Sequence, residues 1–170
     1  MHVVSWHFYG YGINADKIET DEARLRKFIE SQPAVKEQFI AWEKEEVYCT
    51  DPLICDKYAH DAYESESISE LCELYRDHGK NADVYGIAGI VEMVLSASAG
   101  FSLVSCRNYE DDVCYVIMPK YYPWDVNDEL LKIKSEDDIK AVFAKALAIL
   151  TDQSLDELDW GEQEVEGGCC

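Results

Sequence analysis

The sequence predicts an α+β fold, a small antiparallel sheet packed against about five helices. Three observations predict it. An N-terminal stretch alternates with period two, a hairpin pattern occupies 101–118, and capped amphipathic segments lie between and after them without the strand–helix alternation of a parallel sheet.

In His2 to Tyr9, Val4, Trp6 and Phe8 fall on one side and Val3, Ser5, His7 and Tyr9 on the other, the pattern of a strand with one apolar face. Tyr9-Gly10-Tyr11-Gly12 follows, and its glycines are expected to end or bulge that strand. Thr20 is placed to cap a helix with Asp21 and Glu22 in its first turn and Leu25, Phe28 and Ile29 on one face. Pro33 ends it and opens a second helix that aligns Val35, Phe39 and Trp42. Cys49 to Tyr63, with Pro52 inside it, reads as a loop.

Ser67 and Glu70 have capping-box spacing ahead of Ile68, Leu71 and Tyr75, and Gly79 closes that helix. Tyr85 to Ala99 is apolar around most of its circumference, which predicts a buried helix whose Gly86 and Gly89 admit a neighbouring backbone. Phe101–Cys106 and Val113–Met118 form the hairpin across Asn108–Asp112, the second strand is central because both its faces are apolar, and Pro119 is expected to stop it. Ser135 with Asp138 caps a last helix carrying Ile139, Val142, Phe143, Ala146 and Ile149. Residues 1–160 are expected to form one domain, and 161–170 an acidic, flexible tail.

Thirty-five Asp and Glu against fifteen Lys and Arg give a net charge of −20. Such a field repels nucleic-acid phosphates and anionic membranes and attracts basic proteins and cations. No apolar run is long enough to cross a bilayer, and His2 to Tyr11 lacks the pattern of an export signal. Seven cysteines without framework spacing read as free thiols of a reducing compartment, so the chain is expected to be cytoplasmic.

Four kinds of chemistry have candidate residues in the chain. Cys49, Cys55 and His60, with Cys72 or His78 as a fourth donor, offer soft ligands but no Cys-x-x-Cys knuckle, so no metal or other cofactor is assigned. A cysteine–histidine pair lacks any specific spacing, and Cys106 and Cys114 read as strand packing. Carboxylate pairs are expected by chance in so acidic a chain, and Glu110-Asp111-Asp112 reads as a solvated turn. Tyr9-Gly10-Tyr11-Gly12 lacks the Lys-Ser/Thr of a phosphate-binding loop. No catalytic residue is assigned.

Contact is the better-supported role. Eleven Tyr and four Trp exceed the needs of a plain core, which draws attention to Tyr9, Tyr11, Tyr121, Tyr122 and Trp124. Asp61, Glu64, Glu66, Glu70 and Glu73 form one acidic stretch, and Asp152, Asp156, Glu157 and Asp159 open a second that reaches the C-terminus. Carboxylates spaced along a helix can imitate a row of phosphates before the Lys and Arg of a nucleic-acid channel; the plainer alternative is a solvated helix face.

Tyr9-Gly10-Tyr11-Gly12-Ile13, Tyr122-Pro123-Trp124 and Ile149-Leu150-Thr151-Asp152-Gln153 together resemble small uncharacterised acidic proteins of phages and mobile elements of gut Firmicutes. The resemblance carries no catalytic residues, and the chain departs from the pattern in ending Cys169-Cys170. It implies an inhibitor of a host defence system, anti-CRISPR-like, acting in the host cytoplasm. The resulting expectation is a non-enzymatic binding protein for a basic partner, such as a host nuclease or defence complex. The alternatives are a small metal-dependent hydrolase, or an accessory protein of mobile elements that self-associates through a sheet edge.

Overall fold

The computed structural model describes residues 4–79, 84, 86–99, 103–122, 125–126 and 135–169. The elements run β1 (Val4–Asn14), α1 (Glu22–Glu30), α2 (Pro33–Glu46), α3 (Pro52–Ser65), α4 (Ile68–His78), α5 (Ile87–Ala99), β2 (Val104–Arg107), β3 (Cys114–Tyr122), β4 (Asp125–Val126), α6 (Glu136–Leu150) and β5 (Gly161–Cys169), with 3-10 turns at Ala15–Lys17 and Asp156–Leu158. The fold is α+β, as the sequence predicts, with a small antiparallel sheet packed on helices.

The sheet order is β2-β3-β1-β5, with β4 beside β3, and every pairing is antiparallel. One face carries Ile13, Cys114 and Val116 into the helical core. The other carries Cys106, Ile117 and Val165 into a second, small cluster. The sheet curls around that cluster until its ends meet: Tyr109 N–H, in the β2–β3 turn, donates to Glu166 O (2.7 Å), and Glu166 N–H donates to Asn108 Oδ1 (3.1 Å). Apolar residues on both faces of β3 are thereby accounted for, and the central placement expected for that strand is observed.

The all-round apolar character of α5 makes it the hub, touching α1, α2, α4, α6, β2 and β3. Its Gly89 makes room for a ring, not a backbone: a Cβ built there would lie 2.0 Å from Tyr75 Cε1. Gly86 lies just outside the helix with φ of +65°, a conformation that favours glycine. Both predicted capping boxes form, Ser67 with Glu70 and Ser135 with Asp138.

Several expectations are corrected. The first helix is capped by Asp21, whose side chain accepts from Arg24 N–H, while Thr20 Oγ1 donates to Leu150 O (2.6 Å). The β1 strand does not stop at its glycines, although the bulge expected there is observed as a register shift between Tyr9 and Gly10. It continues to Asn14, because Gly12 lies against β3 where a Cβ would meet Val116 O at 2.1 Å. Nor does Pro119 end β3: Tyr9 pairs with Tyr121 and Gly10 with Pro119, so Lys120 is the extra residue of a bulge immediately after the proline.

The 49–63 segment is helical from Pro52, because Asp51 accepts from Leu53 N–H as cap and proline suits a first turn. The C-terminal segment is not a flexible tail. Leu155 and Leu158 bury themselves, and 161–169 pairs along β1 from Gly12↔Gly161 to Val4↔Cys169 with Val165 fully enclosed. The expectation of seven free thiols is overturned at one pair: Cys49 and Cys55 form a disulfide, Cα atoms 6.0 Å apart, where the α3 cap folds the chain back on itself. The cytoplasmic assignment loses that support. Among the described residues, no helix is long and apolar enough to cross a membrane.

Candidate acidic interface

The two acidic stretches of the sequence have different fates. In the C-terminal one, the carboxylates serve the fold. Asp152 bridges to Arg24 (2.8 Å), Asp156 lies 4.0 Å from Lys140, and Asp159 holds Lys17 (2.9 Å) and accepts from Asn14 (3.4 Å). Glu157 accepts Ser154 N–H (2.6 Å) while Ser154 Oγ accepts Glu157 N–H (3.3 Å), a capping box around the 3-10 turn. Lys17 holds the Asp159 carboxyl below its usual range. Along 152–159 the surplus charge is therefore interleaved with cations.

The α3–α4 stretch differs. Asp61 and Glu64 are exposed on α3 and Glu73 on α4, and none of them has an ion-pair partner among the described residues. Glu70 is exposed as well, but its carboxyl accepts Ser67 N–H (2.7 Å), which holds its pKa down. Cations stand around the row: Lys57 is exposed one turn before Asp61, Lys44 pairs with Asp56 and Arg76 with Asp77.

Glu66, between α3 and α4, turns inward. Its carboxyl neighbours those of Glu70 and of Glu43, which projects from α2 and is 5% exposed. Burial, then the two neighbouring carboxylates, push Glu66 up to about 7, and burial raises Glu43 too. One Glu43 oxygen has no hydrogen-bond partner among the described residues. Arg26, from α1, donates to the Tyr63 and Glu66 carbonyls and not to the carboxyls. Glu43 and Glu66 thus belong to the seam between α2 and the α3–α4 junction and not to the solvent-facing row.

A third acidic row appears on the sheet. Glu162, Glu164 and Glu166 alternate outward along β5, opposite Tyr11, Tyr9 and His7 of β1, and Tyr9 Oη donates to Glu162 Oε2 (2.5 Å). Tyr11 is half-buried, and burial followed by Glu162 raises its pKa. Tyr9 and Tyr11 thus share a face with carboxylates. Backbone pairing sets Tyr121 beside Tyr9 and Tyr122 opposite Asp125, whereas Trp124 lies outside the described residues.

The disulfide removes Cys49 and Cys55 as thiolate ligands, and His60 Nδ1 lies 2.8 Å from Asp56 O. His78 is held between Glu45 (3.0 Å) and Glu46 (2.5 Å) of α2 and stacks on Trp42. Among the described residues no three His, Cys, Asp or Glu side chains converge in a metal-binding group. A polar cleft of about 290 Å³ between the α1 start and the α6 end is lined by Glu19, Arg24, Asp152 and Gln153, whose polar groups already bond one another.

Reading from sequence missed the apolar side of the α3 region. Tyr48, Leu53, Ile54 and Tyr58 are all exposed, and the loop assigned to that segment concealed the helical spacing that groups them. Comparison with protein-family models, curated proteins and solved structures finds no match to this chain.

Proposed function

We propose that the chain is a non-enzymatic binding protein that receives a basic protein surface on the acidic face of α3 and α4. The observation that supports this reading is the contrast between the two acidic stretches. Asp61, Glu64 and Glu73 stand in solvent without an ion-pair partner among the described residues, while Asp152, Asp156, Glu157 and Asp159 are spent on ion pairs and a cap. Charge that stabilises no local structure and opposes the compact state through a net −20 is explained by an external cation. A row of carboxylates on consecutive helices suits the Lys and Arg of a nucleic-acid channel, the surface class that the phage-protein resemblance also names. In this reading the protein stands in for nucleic acid before a host nuclease or defence protein.

The test is capture from a bacterial lysate at about 50 and about 300 mM salt, with proteins identified by mass spectrometry. Wild type is expected to retain a basic nucleic-acid-binding protein at the lower salt, and added duplex DNA should release it. A chain carrying Asp61→Lys, Glu64→Lys and Glu73→Lys should retain none. Retention that ignores both salt and the three reversals would refute the reading.

A further inference from the structure

Helix α3 carries an apolar surface facing away from the protein. Of its fourteen residues only Ala59 and Tyr63 are buried, and it packs chiefly on α2. Leu53 is 82% exposed, Ile54 59% and Tyr58 61%, and Tyr48, just before the helix, is fully exposed. Six large hydrophobic side chains are exposed among the described residues, and four of them fall within this segment. Isolated exposed apolar residues are ordinary, but a group of them marks a contact surface.

Helical spacing joins that group to the acidic row. Ile54, Tyr58 and Asp61 follow at i, i+4 and i+7, and Leu53, Lys57 and Glu64 form the adjacent stripe. Each stripe begins apolar and ends in a carboxylate without an ion-pair partner. The Cys49–Cys55 disulfide ties the Tyr48 end of the connection to the first turn of α3. Tyrosine with aliphatic neighbours, desolvated at the centre and charged at the rim, is the composition of a protein-contact hot spot.

Charge decides between occupants. A second copy would bring another −20 against the same face, and an anionic lipid surface or a nucleic acid would bring its own negative charge. A cationic amphipathic segment complements both halves of α3. We infer that Tyr48, Leu53, Ile54 and Tyr58 form the docking site for an apolar stripe on a basic protein partner, whose Lys and Arg reach Asp61 and Glu64. This rests on the acidic-face reading above and adds the apolar anchor of the same contact.

The test uses the full chain and defined peptides. One is a Leu/Lys amphipathic helix of about 18 residues, roughly five turns. The second replaces its Leu by Ser, and the third replaces its Lys by Glu. Wild type should bind the Leu/Lys peptide about tenfold tighter than the Ser/Lys peptide and should not bind Leu/Glu. Leu53→Ser, Ile54→Ser and Tyr58→Ser together should remove that tenfold preference while leaving the salt dependence intact. Asp61→Lys with Glu64→Lys should flatten the salt dependence. Hydrogen exchange on the wild-type complex should show new protection in 48–64, a readout independent of any variant.

Serine variants that bind as wild type would overturn the apolar site and leave the acidic-face reading standing if the lysine variants still weaken binding. Loss with the serine variants alone would remove the acidic-face reading and, with it, the cationic identity of the occupant. Self-association in sedimentation, or pelleting with phosphatidylcholine vesicles, that the serine variants abolish would give the patch to a second copy or to lipid and overturn the inference.

Discussion

The Glu43 carboxyl, buried on α2, neighbours the Glu66 carboxyl at the α3–α4 junction, and its negative charge helps to raise Glu66. Burial raises both groups, Glu66 to about 7, and the same seam holds His78 between Glu45 and Glu46, which raises the imidazole. The sign is common to all three. A group raised in the folded state contributes stability that is present below its unfolded pKa and lost as pH rises through the folded value. For Glu66 the window runs from 4.5 to about 7, and for His78 it begins at 6.5. Lowered groups, such as Asp56 and Asp159, act in the opposite sense only near 3.8. The melting temperature should therefore be higher at pH 5.5 than at pH 8. Relief of the overall negative charge on acidification has the same direction, so Glu66→Gln is the discriminating variant. It should raise Tm at pH 8 by about 2–4 °C for each kcal/mol recovered and reduce the difference between the two pH values. An unchanged pH profile would show that the cluster is too well solvated to matter.

Gly89 and Tyr75 set the spacing of α4 against α5. A Cβ on Gly89 would lie 2.0 Å from one ring atom and 2.2 Å from another, and the ring is itself 2% exposed, so it has nowhere to move. Gly89→Ala should cost about 1–3 kcal/mol through overpacking, although alanine is the better helix former. Adding Tyr75→Leu should recover part of that loss, whereas Tyr75→Phe should recover none, because the clash is with ring carbons. Denaturant unfolding of the three variants measures it.

Gln153 latches the C-terminal segment to the start of the helical layer. Its side-chain oxygen accepts Glu19 N–H (2.8 Å) and Thr151 Oγ1–H (3.0 Å), and its Nε2 donates to Lys17 O (2.9 Å). Part of the Ile149–Gln153 motif thereby acquires a structural meaning. Gln153→Ala should cost about 1–2 kcal/mol, and Glu19 N–H should lose its hydrogen-exchange protection first. Gln153→Glu keeps the acceptor but loses the donor to Lys17 O, and should fall between the two.

Local chemistry was legible in the sequence wherever one signal acted alone. The Ser67–Glu70 and Ser135–Asp138 boxes, the buried α5 and the central β3 all formed as read. Reading failed where a residue carried two meanings. Pro52 breaks a helix interior but favours a first turn, and Asp51 as cap decided for the helix. Pro119 ends a strand unless a bulge absorbs it. A glycine- and glutamate-rich terminus suggests fraying, but β1 offered an open edge and Val165 a place in the closed cluster, long-range facts that no local window contains. At the candidate interface, the sequence marked the carboxylates but could not sort them, because Lys17 and Asp159 are neighbours only after folding.

That sorting yields the most direct prediction. Asp61, Glu64 and Glu73 have no ion-pair partner among the described residues, so replacing all three with Lys removes no contact the fold uses and lowers the magnitude of the −20 charge. Tm should stay level or rise, and the rise should shrink with added salt because the relieved repulsion is screened. Asp159 is the counter-case. It holds Lys17 and Asn14 at once and sits at φ of 55°, where Asp and Asn are better tolerated than most residues. Asp159→Ala should lower Tm, and Asp159→Asn should lower it less, keeping the backbone preference while losing the ion pair. Should the triple lysine chain melt lower than Asp159→Ala, the α3–α4 carboxylates would be structural after all, and their availability to a basic partner would be gone.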